Sequence, residues 1–211
     1  MTRRAPRAVG ACAAAALAAL CAARARAAEA PPAAGLLLRL GVGPAFVYES
    51  WSPEGPNVGS TAYGFGPVVG VTLGAPVKPG LVVAGDLQLG GIINRTEIYL
   101  GTSYDLVDTL HFVDTLVALV DWIPPKHPRL HLGVGLGLAA VTDVDTNMGG
   151  AQTAYGVALP VQAGYERPIS PRWAAGVGLR ITAYRVFADE PPPPATSTGA
   201  LFTLLVSFTR R

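Results

Sequence analysis

The chain has 211 residues, a formal net charge of +2, 50% hydrophobic residues and 14% charged residues, the size of one domain plus a removable leader. That charge balance lacks the strong basic field that nucleic acid requires. Beyond the N-terminus no run of about 18 apolar residues occurs, so a membrane crossing must use strands rather than helices.

Arg3, Arg4 and Arg7 form a positive n-region and residues 10–23 an apolar h-region. Ala25-Arg26-Ala27 and Ala28-Glu29-Ala30 each fit an A-x-A cleavage site. This is the three-part pattern of a secretory signal peptide, and its apolar run is short of the ~20 residues of a spanning helix. We therefore expect a signal peptide over 1–30, removed on export by a Sec-type route, and a single barrel domain over 31–211. Removing it takes five of the 16 Lys and Arg and one of the 14 Asp and Glu, leaving 11 bases, 13 acids and a net charge of −2. Cys12 and Cys21 leave with it, which excludes disulfides, metal thiolates and cysteine nucleophiles from the mature chain. Leu20 before Cys21 and the early position of Cys12 do not make a lipobox.

Eight strands follow. Residues 36–48 set Leu36, Leu38, Leu40, Val42 and Phe46 against Arg39, Gly41, Gly43 and Ala45. Residues 62–74 set Tyr63, Phe65, Val69, Val71 and Leu73 against Gly64, Gly66, Gly70 and Thr72, and 81–93 set Leu81, Val83, Leu87 and Leu89 against Ala84, Asp86, Gln88 and Gly90. Residues 109–123 are apolar on both faces, which leaves their parity open.

The clearest stretch is 130–142, with Leu130, Leu132, Val134, Leu136 and Leu138 opposite His131, Gly133, Gly135, Gly137 and Ala139. Side chains alternate across a strand, so one face is greasy and the other almost bare. A soluble sandwich would hydrate its second face, and glycines would only weaken it. A membrane barrel turns the apolar face to lipid and uses small residues where the lumen is narrow.

The same pattern continues through 153–166, with Tyr155, Val157, Leu159, Val161 and Tyr165 opposite Gly156, Ala158, Gln162 and Gly164. In 172–187, Trp173, Val177, Leu179 and Ile181 oppose Gly176, Gly178, Arg180, Thr182 and Tyr184. In 199–209, Phe202, Leu204, Val206 and Phe208 face outward. Pro44, Pro67 and Pro160 interrupt this pattern, since proline removes a ladder hydrogen bond. Bulges near the rim are expected to absorb the first two, whereas the mid-strand Pro160 has no such account.

Connections alternate in length. Short turns follow the second, fourth and sixth strands, and longer loops (49–61, 94–108, 143–152 and 188–198) follow the others. This is the arrangement of outer-membrane barrels, with periplasmic turns and extracellular loops. Charge sorts the same way: the long loops hold nine acids (Glu49, Glu54, Glu97, Asp105, Asp108, Asp143, Asp145, Asp189, Glu190) and the base Arg95. The turns, their flanks and the tail hold seven bases (Lys78, Lys126, Arg129, Arg167, Arg172, Arg210, Arg211). Aromatics fall near the two strand ends, as two interfacial girdles would require: Trp122, Tyr165, Trp173 and Phe208 at the short-turn end, and Phe46, Tyr48, Tyr63, Phe65, Phe112, Tyr155, Tyr184, Phe187 and Phe202 at the long-loop end.

The segments LHLGVGLGLAAV, GVALPVQAGYERPISPRWAAGVGLR and the final LFTLLVSF resemble the bacterial outer-membrane β-barrel superfamily of small, porin-like, eight-stranded proteins. The last segment is similar to that family's C-terminal insertion signal, although Thr209-Arg210-Arg211 follow Phe208. The resemblance covers residues 36–208. It implies an all-β, eight-stranded, antiparallel up-and-down transmembrane barrel in the outer membrane, a monomer whose partners are outer-membrane lipid, lipopolysaccharide and the assembly machinery.

Inward-facing Arg39, Asp86, Gln88, Gln162 and Arg180 are the candidate site, a polar network inside the lumen, where charges must pair because little water reaches them. Eight strands enclose only enough space for side chains or one small ligand. Asp143-x-Asp145-x-Asn147 opens like a calcium loop, but Met148 stands at the glycine position and Ala154 at the twelfth, so no metal is expected. A hydrolase would need a set such as Ser50, Ser52, Ser60 or Ser103 with His111 and Asp108; no motif singles one out. His127 and His131 fall at the other end. The proline run at 191–194 favours an extended, stiff loop. The expected role is structural, surface interaction or passage of a small solute, without catalysis or cofactor. The alternatives are transport of a small apolar ligand and a lipid-modifying hydrolase.

Overall fold

A computed structural model describes residues 35–53, 59–106, 109–147, 149–188 and 195–210. The expected signal peptide, Glu54, Asp108, Asp189, Glu190, the proline run 191–194 and Arg211 lie outside the described residues.

All regular structure in the described residues is strand: β1 (Leu37–Pro53), β2 (Ser60–Lys78), β3 (Leu81–Ile92), β4 (Asn94–Tyr99), β5 (Thr102–Leu106), β6 (Thr109–Trp122), β7 (Leu130–Asp145), β8 (Ala151–Pro168), β9 (Trp173–Ala188) and β10 (Ala195–Arg210). Neighbours pair antiparallel, and β1 pairs with both β2 and β10, which closes the sheet. β3 and β4 both pair with β2 and act as one crossing, and β5 and β6 form the next, so the wall has eight strands. Following partners from Leu40 through Val71, Leu87, Leu116, Leu138, Val157, Arg185 and Thr198 returns to β1 at Ser50, ten residues further along. A stagger of that size tilts the strands by about 40°.

The alternation read from the sequence sets the two faces. Leu40, Val42, Val69, Leu73, Leu87, Leu136, Val157, Leu179 and Val206 are exposed on the outside, whereas Arg39, Ala45, Thr72, Ala84, Asp86, Gln88, Ala158 and Arg180 are buried inside. The open parity of the fourth crossing resolves with His111, Val113, Thr115, Val117, Leu119 and Asp121 inward.

Three expectations need correction. The expected long loops are largely strand: residues 94–106 extend the wall as the β4–β5 hairpin, turning at Leu100 (φ 50) and Gly101 (φ 77), and 49–53, 60–61, 143–145, 151–152 and 195–198 belong to β1, β2, β7, β8 and β10. Phe46 and Phe202 sit well inside their strands, because β1 and β10 run further outward than the apolar pattern does; their ring centroids are 6.2 Å apart. Tyr184 belongs to no girdle, since its ring is buried in the lumen.

The prolines are accommodated in two ways. Pro44 and Pro67 face each other across β1 and β2. Beside Pro67 the register steps from Val68–Gly90 to Phe65–Asn94, so the β3–β4 crossing carries one extra residue, a bulge. Pro44 and Pro160 instead open the ladder without shifting it: bridges resume in register beyond each. Pro160 lies opposite Gly135, where a Cβ would press on the proline ring, so glycine supplies the room that Pro160 needs.

Candidate functional site

The lumen is built in layers. At the short-turn end Arg39 (β1) donates from Nε to Glu166 Oε1 (2.8 Å, β8) and from Nη2 to Asp121 Oδ2 (3.0 Å, β6). Thr209 (β10) donates to the same Glu166 oxygen at 2.6 Å. His131 (β7) faces both acids, with Nδ1 3.3 Å from Asp121 Oδ1 and Nε2 3.8 Å from Glu166 Oε1. A Cβ at Gly164 would overlap that imidazole. The bare glycine face is therefore room for large polar groups reaching in from other strands.

Next, Arg180 Nη1 donates to both Asp86 oxygens (2.8 and 3.0 Å), and Thr72 donates to Asp86 Oδ1 (3.2 Å). Both members of the ion pair are almost fully enclosed, 3% and 2% exposed. Gln162 lines a cavity of about 30 Å³ with Arg39, Asp86 and Arg180. That is room for about one water. Gln88 donates to Thr203 (3.1 Å) across the barrel.

Above this comes an apolar layer. Ala45, Val47, Val68, Ile92, Val113, Val117, Ala139, Val141, Ala154, Ala158, Tyr184, Val186 and Leu201 form one buried cluster, and every one of the eight crossings contributes to it. A further polar cluster closes the long-loop end. Arg95 Nη1 donates to Asp143 Oδ1 (2.8 Å), and its Nη2 lies 3.5 Å from Glu49 Oε2. His111 Nδ1 meets Asp143 Oδ1 at 2.7 Å, its Nε2 lies 3.4 Å from Glu49 Oε2, and Ser197 donates to Glu49 Oε1 (2.5 Å). Each end thus carries one arginine, one imidazole, two carboxylates and a hydroxyl.

The five expected site residues all point inward, but they divide among separate clusters. Arg39 belongs to the short-turn cluster, Asp86 and Arg180 pair with each other, Gln88 bonds Thr203, and Gln162 lines the cavity. Glu49, Arg95 and Asp143 are lumen groups on strands rather than loop charges. Continuing the alternation of β1 from Ala45 to Glu49, of β7 from Ala139 to Asp143 and of β8 from Gly164 to Glu166 would have found three of the missed acids. Of the loop serines weighed for a hydrolase none bonds His111, whose ring is held by Asp143 instead.

Asp143 stands three residues beyond the Ala140–Tyr155 pair, above the aromatic girdle and outside the hydrocarbon. Burial raises its pKa, but the His111 hydrogen bond and the charges of His111 and Arg95 outweigh this and hold the carboxyl below its ordinary value. A depressed carboxylate contributes stability above its unfolded pKa, about 3.9, and loses it as pH falls through the folded value. Acid titration of unfolding should therefore show this loss below about pH 4, and an Asp143→Asn variant should lack that component.

An apolar outer wall, with interfacial Trp122, Tyr165 and Trp173 at one end and Tyr48, Tyr63, Tyr155 and Phe187 at the other, defines an eight-stranded transmembrane β-barrel. The chain thus has the fold of an outer-membrane β-barrel. No protein-family model and no curated protein matches it. Among solved structures it is similar to the outer membrane protein AlkL (TM-score 0.48, 13% identity, covering 83% of this chain and 89% of that one). It is also similar to OprG from Pseudomonas aeruginosa (0.46, 12%, covering 82% and 94%) and to Neisserial surface protein A (0.46, 14%, covering 84% and 97%). These likenesses concern the fold alone.

Proposed function

We propose that this barrel is sealed and acts at its extracellular surface, with neither axial solute passage nor catalysis. The observation that carries this reading is the apolar cluster to which all eight crossings contribute, lying between the Gln88–Thr203 level and the Glu49–Arg95–His111–Asp143 cluster. A dry apolar plug gives an ion no partner to replace its water. It likewise leaves no lumen path for a small apolar ligand.

The β4–β5 hairpin supports a surface role. It carries exposed Tyr99, Leu100 and Tyr104 at and beside its tip, and Leu100 is 67% exposed in a left-handed conformation that a leucine adopts only at a cost. Strain of this kind collects at functional positions. On the side of catalysis, the one His–Asp contact near the outer mouth among the described residues, His111–Asp143, belongs to a structural cluster, and the Ser197 hydroxyl is engaged by Glu49.

The test is planar-bilayer recording of the refolded chain, with heat-modifiable gel migration as proof of folding. Steady single-channel currents should be absent. A reproducible unitary conductance in the folded protein would overturn the sealed-barrel reading.

A further inference from the structure

We infer that the short-turn rim of the barrel is a docking surface for the phosphate headgroups of anionic phospholipid in the periplasmic leaflet. Lys78 ends β2, Lys126 and Arg129 lie in the β6–β7 turn, Arg167 is at the end of β8, Arg172 is in the β8–β9 turn and Arg210 ends β10. All six are exposed. They are spread around the circumference, so they form a ring of positive charge rather than a patch.

The ring is unbalanced for a structural reason. Among the described residues the carboxylates at this end are Asp121 and Glu166, each 1% exposed. Both point into the lumen, where Arg39, His131 and Thr209 engage them. The fold withdraws the acids from the surface and leaves the bases on it. At the opposite end the exposed and half-exposed charges include Glu97, Asp105 and Asp145.

Position favours a lipid over another anion. The rim also exposes Trp122, Tyr165 and Trp173, rings that settle at the boundary between hydrocarbon and headgroups. Arg129 Nη1 donates to the Tyr165 hydroxyl at 3.2 Å, which holds its guanidinium at the depth of that ring. Cations at headgroup depth enrich anionic lipid around them, an attraction that salt screens.

The experiment uses the refolded full chain in phosphatidylcholine vesicles containing trace spin-labelled phosphatidylglycerol or, in parallel, spin-labelled phosphatidylcholine. The fraction of motionally restricted label reports which lipid the barrel holds. Phosphatidylglycerol should be preferred several-fold. That preference should fall towards none in 1 M salt and in a Lys126→Gln, Arg129→Gln, Arg167→Gln, Arg172→Gln variant. Equal association of both labels, or a preference unchanged in that variant, would overturn the proposal. Retention of the protein on peptidoglycan sacculi without a lipid preference would assign the ring to the cell wall and overturn it too. Should the quadruple variant not fold, the wild-type salt titration and the single variants Arg167→Gln and Arg172→Gln decide, each with a partial loss expected.

Discussion

Asp86→Asn is expected to destabilise the barrel by about 3–5 kcal/mol, the cost of stranding a buried charge. The change keeps the side chain's size, so it leaves no cavity. It does leave the Arg180 guanidinium without a counter-charge beside a cavity of only about 30 Å³. Thr72, the other neighbour of Asp86, is a hydroxyl and cannot replace it. Urea unfolding of the refolded protein followed by tryptophan fluorescence gives the comparison. Arg180→Leu should lose a similar amount, because it strands the carboxylate instead. The double variant Asp86→Leu with Arg180→Met should recover much of either loss, since a matched apolar pair carries no charge to desolvate. Additive losses in the double variant would show that the two residues do not depend on each other.

The second large effect is expected in the apolar plug. Ile92 and Leu201 are both fully buried in it. Each truncation to alanine should cost about 2–5 kcal/mol, the transfer loss plus the cavity that rigid walls cannot close. Because both residues belong to one cluster, the double variant should depart from the sum of the singles. The urea midpoint would shift while its slope stays constant if only stability has changed. A negligible loss at both sites would mean that the plug is not close-packed.

What the sequence made legible follows from its own periodicity. Where Leu and Val alternate with Gly and Ala, as in 130–142 and 172–187, the lipid and lumen faces could be assigned residue by residue. The fourth crossing defeated that logic, because a small barrel can be apolar inside as well: Val113, Val117 and Leu119 face the lumen, and Leu116 and Val120 face lipid. The β4–β5 hairpin escaped because NRTEIYLGTSYDL lies above the membrane, where a strand needs no greasy face. The polar clusters escaped for a different reason. Alternation tells that Arg39 points inward, but its partners sit on β6, β8 and β10, and only the stagger of the closed wall brings them to one level. The prolines were legible as interruptions, while the answer for Pro160 depended on a glycine in the neighbouring strand.

Arg39 also bears on the order of assembly. Its three partners lie 82, 127 and 170 residues further along the chain. The last of them is contributed by β10, which becomes its neighbour only when the first and last strands have met. Until that seam forms, an arginine and two acids stand on the open face of a curling sheet, and bare charge is strongly disfavoured in hydrocarbon. Seam closure and entry into the bilayer are thereby coupled, and a chain stalled before its final strand would be held at the membrane surface.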